Sequence, residues 1–276
     1  MAIKVIKEGI WIGWKVESNW TNPFVFASYM IIKPIAYVII IGLIFLIGTD
    51  TLNHIDNSLF FYTFIGSIFF LYPVTILISL GYLIHEDRAK YEVLKNIYIA
   101  PNAIMSYIIG RGLASAINAS VSIIVSIIIG TLVFSNFALK ISVDPFTINY
   151  PLLIITLLLG TIAFPFMGVI LTAINLLTYK LQYSLSEYTT GVLFLFSGVV
   201  FPPNMLPYPL SIISYSLPTT YFLELIRLAL NGLFKLDLLI YMIITTFITI
   251  LLALILFNYA DKKARVKGAI DRKSEY

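Results

Sequence analysis

Few residues in this chain are equipped for bond chemistry. It has no cysteine, so disulfides, thiolate metal sites and cysteine nucleophiles are excluded. Its two histidines, His54 and His85, lack a partner at metal-ligand spacing, and no metal site is expected. No HExxH or GxSxG occurs, no glycine is directly followed by lysine, and so no phosphate-cradling GxxxxGK[ST] loop is present. Charge gathers instead in one internal stretch, His85 to Pro101, HEDRAKYEVLKNIYIAP, which holds Glu86, Asp87, Arg88, Lys90, Glu92 and Lys95 in a chain only 12% charged. A helix from Asp87 to Ile97 would set Tyr91, Leu94 and Ile97 on one face and Glu92, Lys95 and Asn96 elsewhere. An exposed apolar stripe ringed by charge suits a protein groove, which makes this a docking element. Pro101 closes it, because proline disfavours helix at the preceding residue. A second concentration is Glu224 and Arg227, one helical turn apart and spaced to pair. It follows a proline-rich run that includes Pro202, Pro203, Pro207 and Pro218.

The elements that must carry these groups are apolar. The 276 residues are 59% hydrophobic, with a mean hydropathy of +0.94. A soluble domain would need about twice the charge fraction seen here. Uncharged runs of about 20 residues are long enough to cross a bilayer as helices, and unpaired backbone in lipid excludes open strands. The sequence therefore predicts an all-α integral membrane protein with six spans at about 29–48, 59–84, 104–134, 151–178, 185–203 and 237–258. Pro73 and Pro165 are expected to kink their helices. Six spans put both termini on one side. All but three of the eighteen lysines and arginines (Lys140, Arg227 and Lys235) then fall on the side of the termini, which the positive-inside rule makes cytoplasmic. The net charge of +4 follows from this topology and calls for no nucleic-acid partner.

Residues 1–28 carry all three tryptophans, Trp11, Trp14 and Trp20, among Lys4, Lys7, Lys15 and Glu17. That pattern fits an amphipathic helix lying in the headgroup region. Residues 259–276 form a basic tail suited to anionic lipid. Within the third span, Ser115, Ala119, Ser122, Ser126 and Gly130 make a stripe of small residues, read as a helix-packing face.

In these features the chain resembles the permease subunits of type-2 ABC transporters, the multidrug, lipid and polysaccharide exporter type. Those proteins carry acidic–basic–Gly–Thr–x–Glu–x–Leu between spans 2 and 3, then Pro and Gly–Lys. Here the stretch reads Asp87-Arg88-Ala89-Lys90-Tyr91-Glu92-Val93-Leu94, then Pro101 and Gly110-Arg111. Ala89 and Lys90 replace the usual Gly–Thr. The family's S-G-x-x-F-P-x-x-x-L-P, L-P-x-T-Y and acidic–x–x–Arg are similar to Ser197 to Pro207, Leu217 to Tyr221 and Glu224 to Arg227.

The resemblance implies a cytoplasmic coupling helix between spans 2 and 3 and short re-entrant outer helices between spans 5 and 6. Glu86, Asp87, Arg88, Tyr91, Glu92, Leu94, Ile97 and Pro101 would be the ATPase-coupling residues. Pro202, Pro203, Pro207, Pro218, Tyr221, Glu224 and Arg227 would belong to the outer region. It further implies efflux of a drug, lipid or glycan-type substrate across the plasma membrane. The partners would be a separate ATPase subunit, which binds the ATP and Mg that this chain does not, and a second permease copy. An ATPase-independent carrier or channel, or a purely structural subunit, is the alternative. The shortage of acids within the spans argues against a proton-coupled carrier.

Overall fold

The computed structural model describes residues 2–18, 22–52, 57–100, 103–134, 145–178, 181 and 184–268. The described residues form helices and turns, with no strand among them. The order is α1 (Ala2–Ser18), α2 (Pro23–Leu52), α3 (Asn57–His85), a π turn (Glu86–Lys90), α4 (Leu94–Ile99), α5 (Ala103–Phe134), α6 (Tyr150–Leu177) and α7 (Ser184–Phe196). A 3-10 turn (Pro203–Met205), α8 (Leu210–Ser216), α9 (Pro218–Leu230) and α10 (Leu236–Val266) follow.

Among the described residues four helices are long and apolar enough to cross a bilayer: α3 continued through the π turn, α5, α6 and α10. In α2 the corresponding apolar stretch is the shorter Pro34–Ile44. The fifth expected span differs most. Its helix, α7, has 13 residues and is about 20 Å long, short of the ~30 Å core. Gly198, at φ +71°, and the prolines from Pro202 onward end it. Helix continues through Pro73 and Pro165.

The core forms around α3, whose Phe60, Phe64, Ile68, Ile76, Leu80 and Leu83 are buried. At one end Phe60 and Phe64 pack edge-on against Phe134 of α5. Near the middle Tyr72 stacks on Phe222 of α9, and Phe164 of α6 meets Phe222 edge-on at 5.0 Å. Polar side chains tie the helices where lipid offers no alternative: Thr172 Oγ1 donates to the Leu80 carbonyl and Asn175 Nδ2 to that of Gly81. The small-residue stripe of α5 faces inward, with Ser115, Ala119 and Ser126 fully buried. Gly130 leaves room for the Phe64 ring.

The contacts define two ends. At the terminus end lie α1, the π turn, α4, the start of α5 and the last turns of α6 and α10. At the far end lie the starts of α3 and α6, the end of α7, and α8 and α9. The helix α1 crosses α5 at glycines: a Cβ on Gly9 would come within 2.9 Å of the Tyr107 carbonyl, and one on Gly110 within 2.9 Å of the Gly9 Cα. Backbones meet there because neither residue has a side chain. Trp11 remains 58% exposed with Lys15 over its ring, while Trp14 turns edge-on to Phe26 of α2.

Candidate functional site

The charged segment between α3 and α5 is not one helix. Tyr91 N–H closes a π turn onto the Glu86 carbonyl, and Val93 N–H reaches back to Asp87 O. Between them Glu92 takes φ +53°, an unusual conformation for a residue with a side chain. Helix resumes only at Leu94, so the phase assumed from Asp87 to Ile97 is broken. The apolar stripe faces the opposite way from the sequence expectation: Leu94 is 1% exposed, and Ile97 and Tyr98 pack against the core. The outward face of α4 is Lys95, Asn96 and Ile99, continued from Glu92; Ile99 is 79% exposed.

Asp87 is buried, and its surroundings form a cluster that sequence spacing did not reveal. Tyr107 Oη donates to Asp87 Oδ2 at 2.8 Å, Arg111 Nη1 donates to Tyr107 Oη at 3.1 Å, and Nη1 lies 3.8 Å from Asp87 Oδ1. Arg111 is 3% exposed. A buried ion pair persists only where further hydrogen bonds satisfy it, and Tyr107 supplies them. One turn further along α5, Ser115 Oγ is 2.7 Å from Ser79 Oγ and 3.3 Å from Glu17 Oε1, and Asn118 Nδ2 donates to Glu17 Oε2. The last turn of α1 thus inserts a carboxylate between spans. Tyr107, Arg111, Ser115 and Asn118 recur at steps of four, four and three, a polar stripe on one face of α5.

The other segment residues act as anchors. Glu86 and Tyr91 are half-buried, and Lys90 sits over the Tyr91 ring. Arg88 Nη2 reaches the Leu176 carbonyl at 3.4 Å, a cation at the C-terminal end of α6 where the helix dipole favours it. Tyr98 packs under Arg265 of α10, 4.8 Å from guanidinium to ring centre. Burial pushes the Tyr98 hydroxyl above the usual phenol range, and neighbouring Asp261 adds to the push. Pro101 lies outside the described residues.

At the far end the proline-rich run is stitched rather than loose. Pro203 is buried against Gly198, Pro218 opens α9 at its first position, and Pro202 is half-buried; Pro207 is exposed. Ser214 Oγ donates to the Phe196 carbonyl, Thr220 Oγ1 to Ser214 O, and Tyr221 Oη to Tyr215 O at 2.8 Å. Glu224 is half-buried. Arg227, 6% exposed, does not use its helical neighbour Glu224 as its hydrogen-bond acceptor. Its Nε donates to Tyr62 O at 3.2 Å, and its Nη2 to Gly198 O at 2.8 Å and Val199 O at 3.1 Å. Its guanidinium stacks 3.5 Å from the Tyr62 ring centre. Gly66 makes this passage possible, since a Cβ there would strike both Arg227 Nη2 and the Val199 carbonyl.

No group of three or more metal-ligating side chains occurs among the described residues. What both ends share is a set of buried polar clasps joining short elements to long apolar helices.

A family model described as ABC-2 type transporter matches residues 9–231. The chain belongs to the ABC-2 type transporter family. The match runs from Gly9, within α1, through α9, includes both polar clusters, and stops before α10. A search of curated proteins finds no match. The protein is thus an ABC-2 permease subunit, a multi-pass membrane protein with a transport role, from a family whose membrane domain carries no nucleotide-binding domain of its own. Members of the family normally pair with an ABC ATPase.

Proposed function

We propose that this permease is the membrane half of an ATP-driven exporter, with both termini in the cytoplasm of a plasma-membrane assembly. A separate ATPase subunit binds ATP and Mg, and a second permease copy completes the pathway. The exported molecule is a drug, lipid or glycan-type substrate.

The observation that carries this reading is the construction of α4. Its inner face is anchored by Leu94 and Tyr98, and its outer face offers Ile99 between Glu92, Lys95 and Asn96. A six-residue helix would not persist on local hydrogen bonds alone. Seated on the spans, it presents an apolar knob with charged neighbours to a partner's groove. Of the segment residues, Glu92 belongs to the contact surface. Leu94 and Ile97 seat the helix, Asp87 and Arg88 tie the segment to α5 and α6, and Glu86 and Tyr91 close the π turn that precedes it. Closure of the ATPases then shifts α4 with the helices it is bolted to, between two packed arrangements.

The test is Ile99→Asp with Glu92→Lys. Both side chains are exposed, so the variant inserts normally. It is expected to lose co-purification of the ATPase and substrate-stimulated ATP hydrolysis. Unchanged coupling would remove α4 from the mechanism. ATP-free transport driven by a proton gradient would favour the carrier reading.

A further inference from the structure

Between α1, α2, α3 and α5 lies a cavity of about 590 Å³, within the roughly 300–1,000 Å³ typical of small-molecule sites. Val16, Val25, Phe26, Leu71 and Ile78 make much of its wall apolar. Among them stands Arg111, which is 3% exposed. Helix α1 leaves room for it: a Cβ on Gly13 would come within 3.2 Å of the Arg111 Cδ. Only one guanidinium nitrogen is engaged. Nη1 meets both Tyr107 Oη and Asp87 Oδ1, the latter at a long 3.8 Å. Nε and Nη2 make no hydrogen bond, yet neither is fully enclosed, in contrast to Asn118 Oδ1. The edge that bears them opens onto the cavity that Arg111 lines. Donors desolvated without an acceptor are costly, and an occupant that accepts from them removes that cost. Nε–H and Nη2–H point the same way, and this is the fork that takes both oxygens of a carboxylate.

The rest of the cavity sets the shape and charge of the occupant. Ser115 bonds to Ser79, and α5 runs back along α3, so Ser122 lies level with Leu71 to Thr75. These three line the deep end, and the step from Arg111 to Ser122 is roughly 16 Å. The Thr75 and Ser122 hydroxyls can turn onto carbonyls four residues back on their own helices, so this end accepts an alkyl chain. Glu86 and Lys90 line the opposite end. Glu17 lies at the level of Ser79, where Ser115 and Asn118 donate to its carboxylate. Two acids face two bases in the wall, with Asp87 behind Arg111. A dianionic head would be repelled, and the fork suits a single negative charge. We propose that the cavity binds one long-chain carboxylate, of the fatty-acid class, with its head on the Nε–Nη2 edge of Arg111. The alkyl chain runs from there past Ile78 toward Leu71 and Ser122. The site lies within a single permease chain, and its binding needs neither ATP nor the ATPase.

The experiment uses the full chain in phosphatidylcholine vesicles at mildly alkaline pH, where the acid is ionised. The probe is a fatty acid with a diazirine near the end of its chain, used beside its methyl ester and the amine of the same chain. After illumination the labelled residues are mapped by mass spectrometry, relative to the exposed Ile243 and Phe247 of α10. The acid should label Leu71, Thr75 or Ser122 about tenfold more than the ester, the size of one lost hydrogen bond to a charged group. Unlabelled dodecanoate should compete with it. Arg111→Lys keeps a cation for Tyr107 and Asp87 but has no fork, so it should bring the acid down to the level of the ester. An unlabelled cavity, equal labelling by acid and ester, or stronger labelling by the amine overturns the proposal. So does acid labelling undiminished in Arg111→Lys. If Arg111→Lys does not fold, the wild-type probe ratios still decide. Failure here leaves ATPase coupling through α4 untouched, because that is read from co-purification.

Discussion

Arg111 and Arg227 are buried at opposite ends of the same bundle, and they are satisfied in different ways. Arg111 is held by side chains, Asp87 from the π turn and Tyr107 one turn back on its own helix α5. Arg227 is held by the backbone carbonyls of Tyr62, Gly198 and Val199 and by the face of the Tyr62 ring. The first is a charge pair between the π turn and α5. The second closes a stretch of chain whose carbonyls have lost helical partners to Gly198, Pro202 and Pro203. In a membrane such carbonyls must be paired from somewhere, and a buried guanidinium with five donors does so at one point. The terminus end is thus joined by a charge pair, and the far end by backbone acceptors.

The largest effect that separates the two ends comes from deleting one partner of the pair. Arg111→Ala strands the Asp87 carboxylate in a buried site and should cost about 3–5 kcal/mol. Adding Asp87→Ala removes the stranded charge, so the double variant should be markedly more stable than the sum of the two single losses. Unfolding of the purified protein in mixed detergent micelles measures all three. A strictly additive double variant would mean that Asp87 and Arg111 do not interact. At the far end no such rescue exists. Arg227→Ala takes the side-chain donor from the Val199 carbonyl and one of the donors from those of Gly198 and Tyr62, and should cost about 3 kcal/mol. No second side-chain deletion can remove those acceptors, because they are backbone. Gly66→Ala should reproduce much of the Arg227→Ala loss by pushing the guanidinium aside. If Gly66→Ala proves neutral in the same assay, the clasp is not as tight as its geometry.

How much of this was legible in the sequence depended on distance along the chain. The long apolar runs marked α3, α5, α6 and α10 as long apolar helices, because length and hydropathy alone decide that a helix is long enough to span, although α10 continues past the expected end at 258 to Val266. The short elements were harder. Periodicity identified Leu94 and Ile97 as sharing a face but did not say what covers it, and the spans of the same chain do. The π turn and Glu92 at φ +53° then shifted the phase that a regular helix would have kept. Spacing allowed Glu224 to pair with Arg227, yet the decisive acceptors belong to residues 28 to 165 positions away in the chain. Asp87 and Arg111 meet only because α5 returns along α3. One signal was available: the polar positions 107, 111, 115 and 118 on an otherwise apolar helix mark a face that must meet polar partners.

The smallest effect sharpens the comparison furthest, because it keeps the charge at both ends and changes only its shape. Arg111 uses a single nitrogen, Nη1, for both of its contacts. A lysine ammonium placed there can meet Tyr107 and Asp87 together, so Arg111→Lys should cost only about 1 kcal/mol. Arg227 spreads its contacts over Nε and Nη2 while lying flat on the Tyr62 ring. A point charge cannot reproduce a planar fork, and Arg227→Lys should cost about 2 kcal/mol, most of the alanine loss. Detergent unfolding of the two lysine variants side by side gives the ratio. A larger loss at Arg111 than at Arg227 would reverse the assignment, making the terminus end the geometrically demanding clasp and the far end the one that needs only a positive charge.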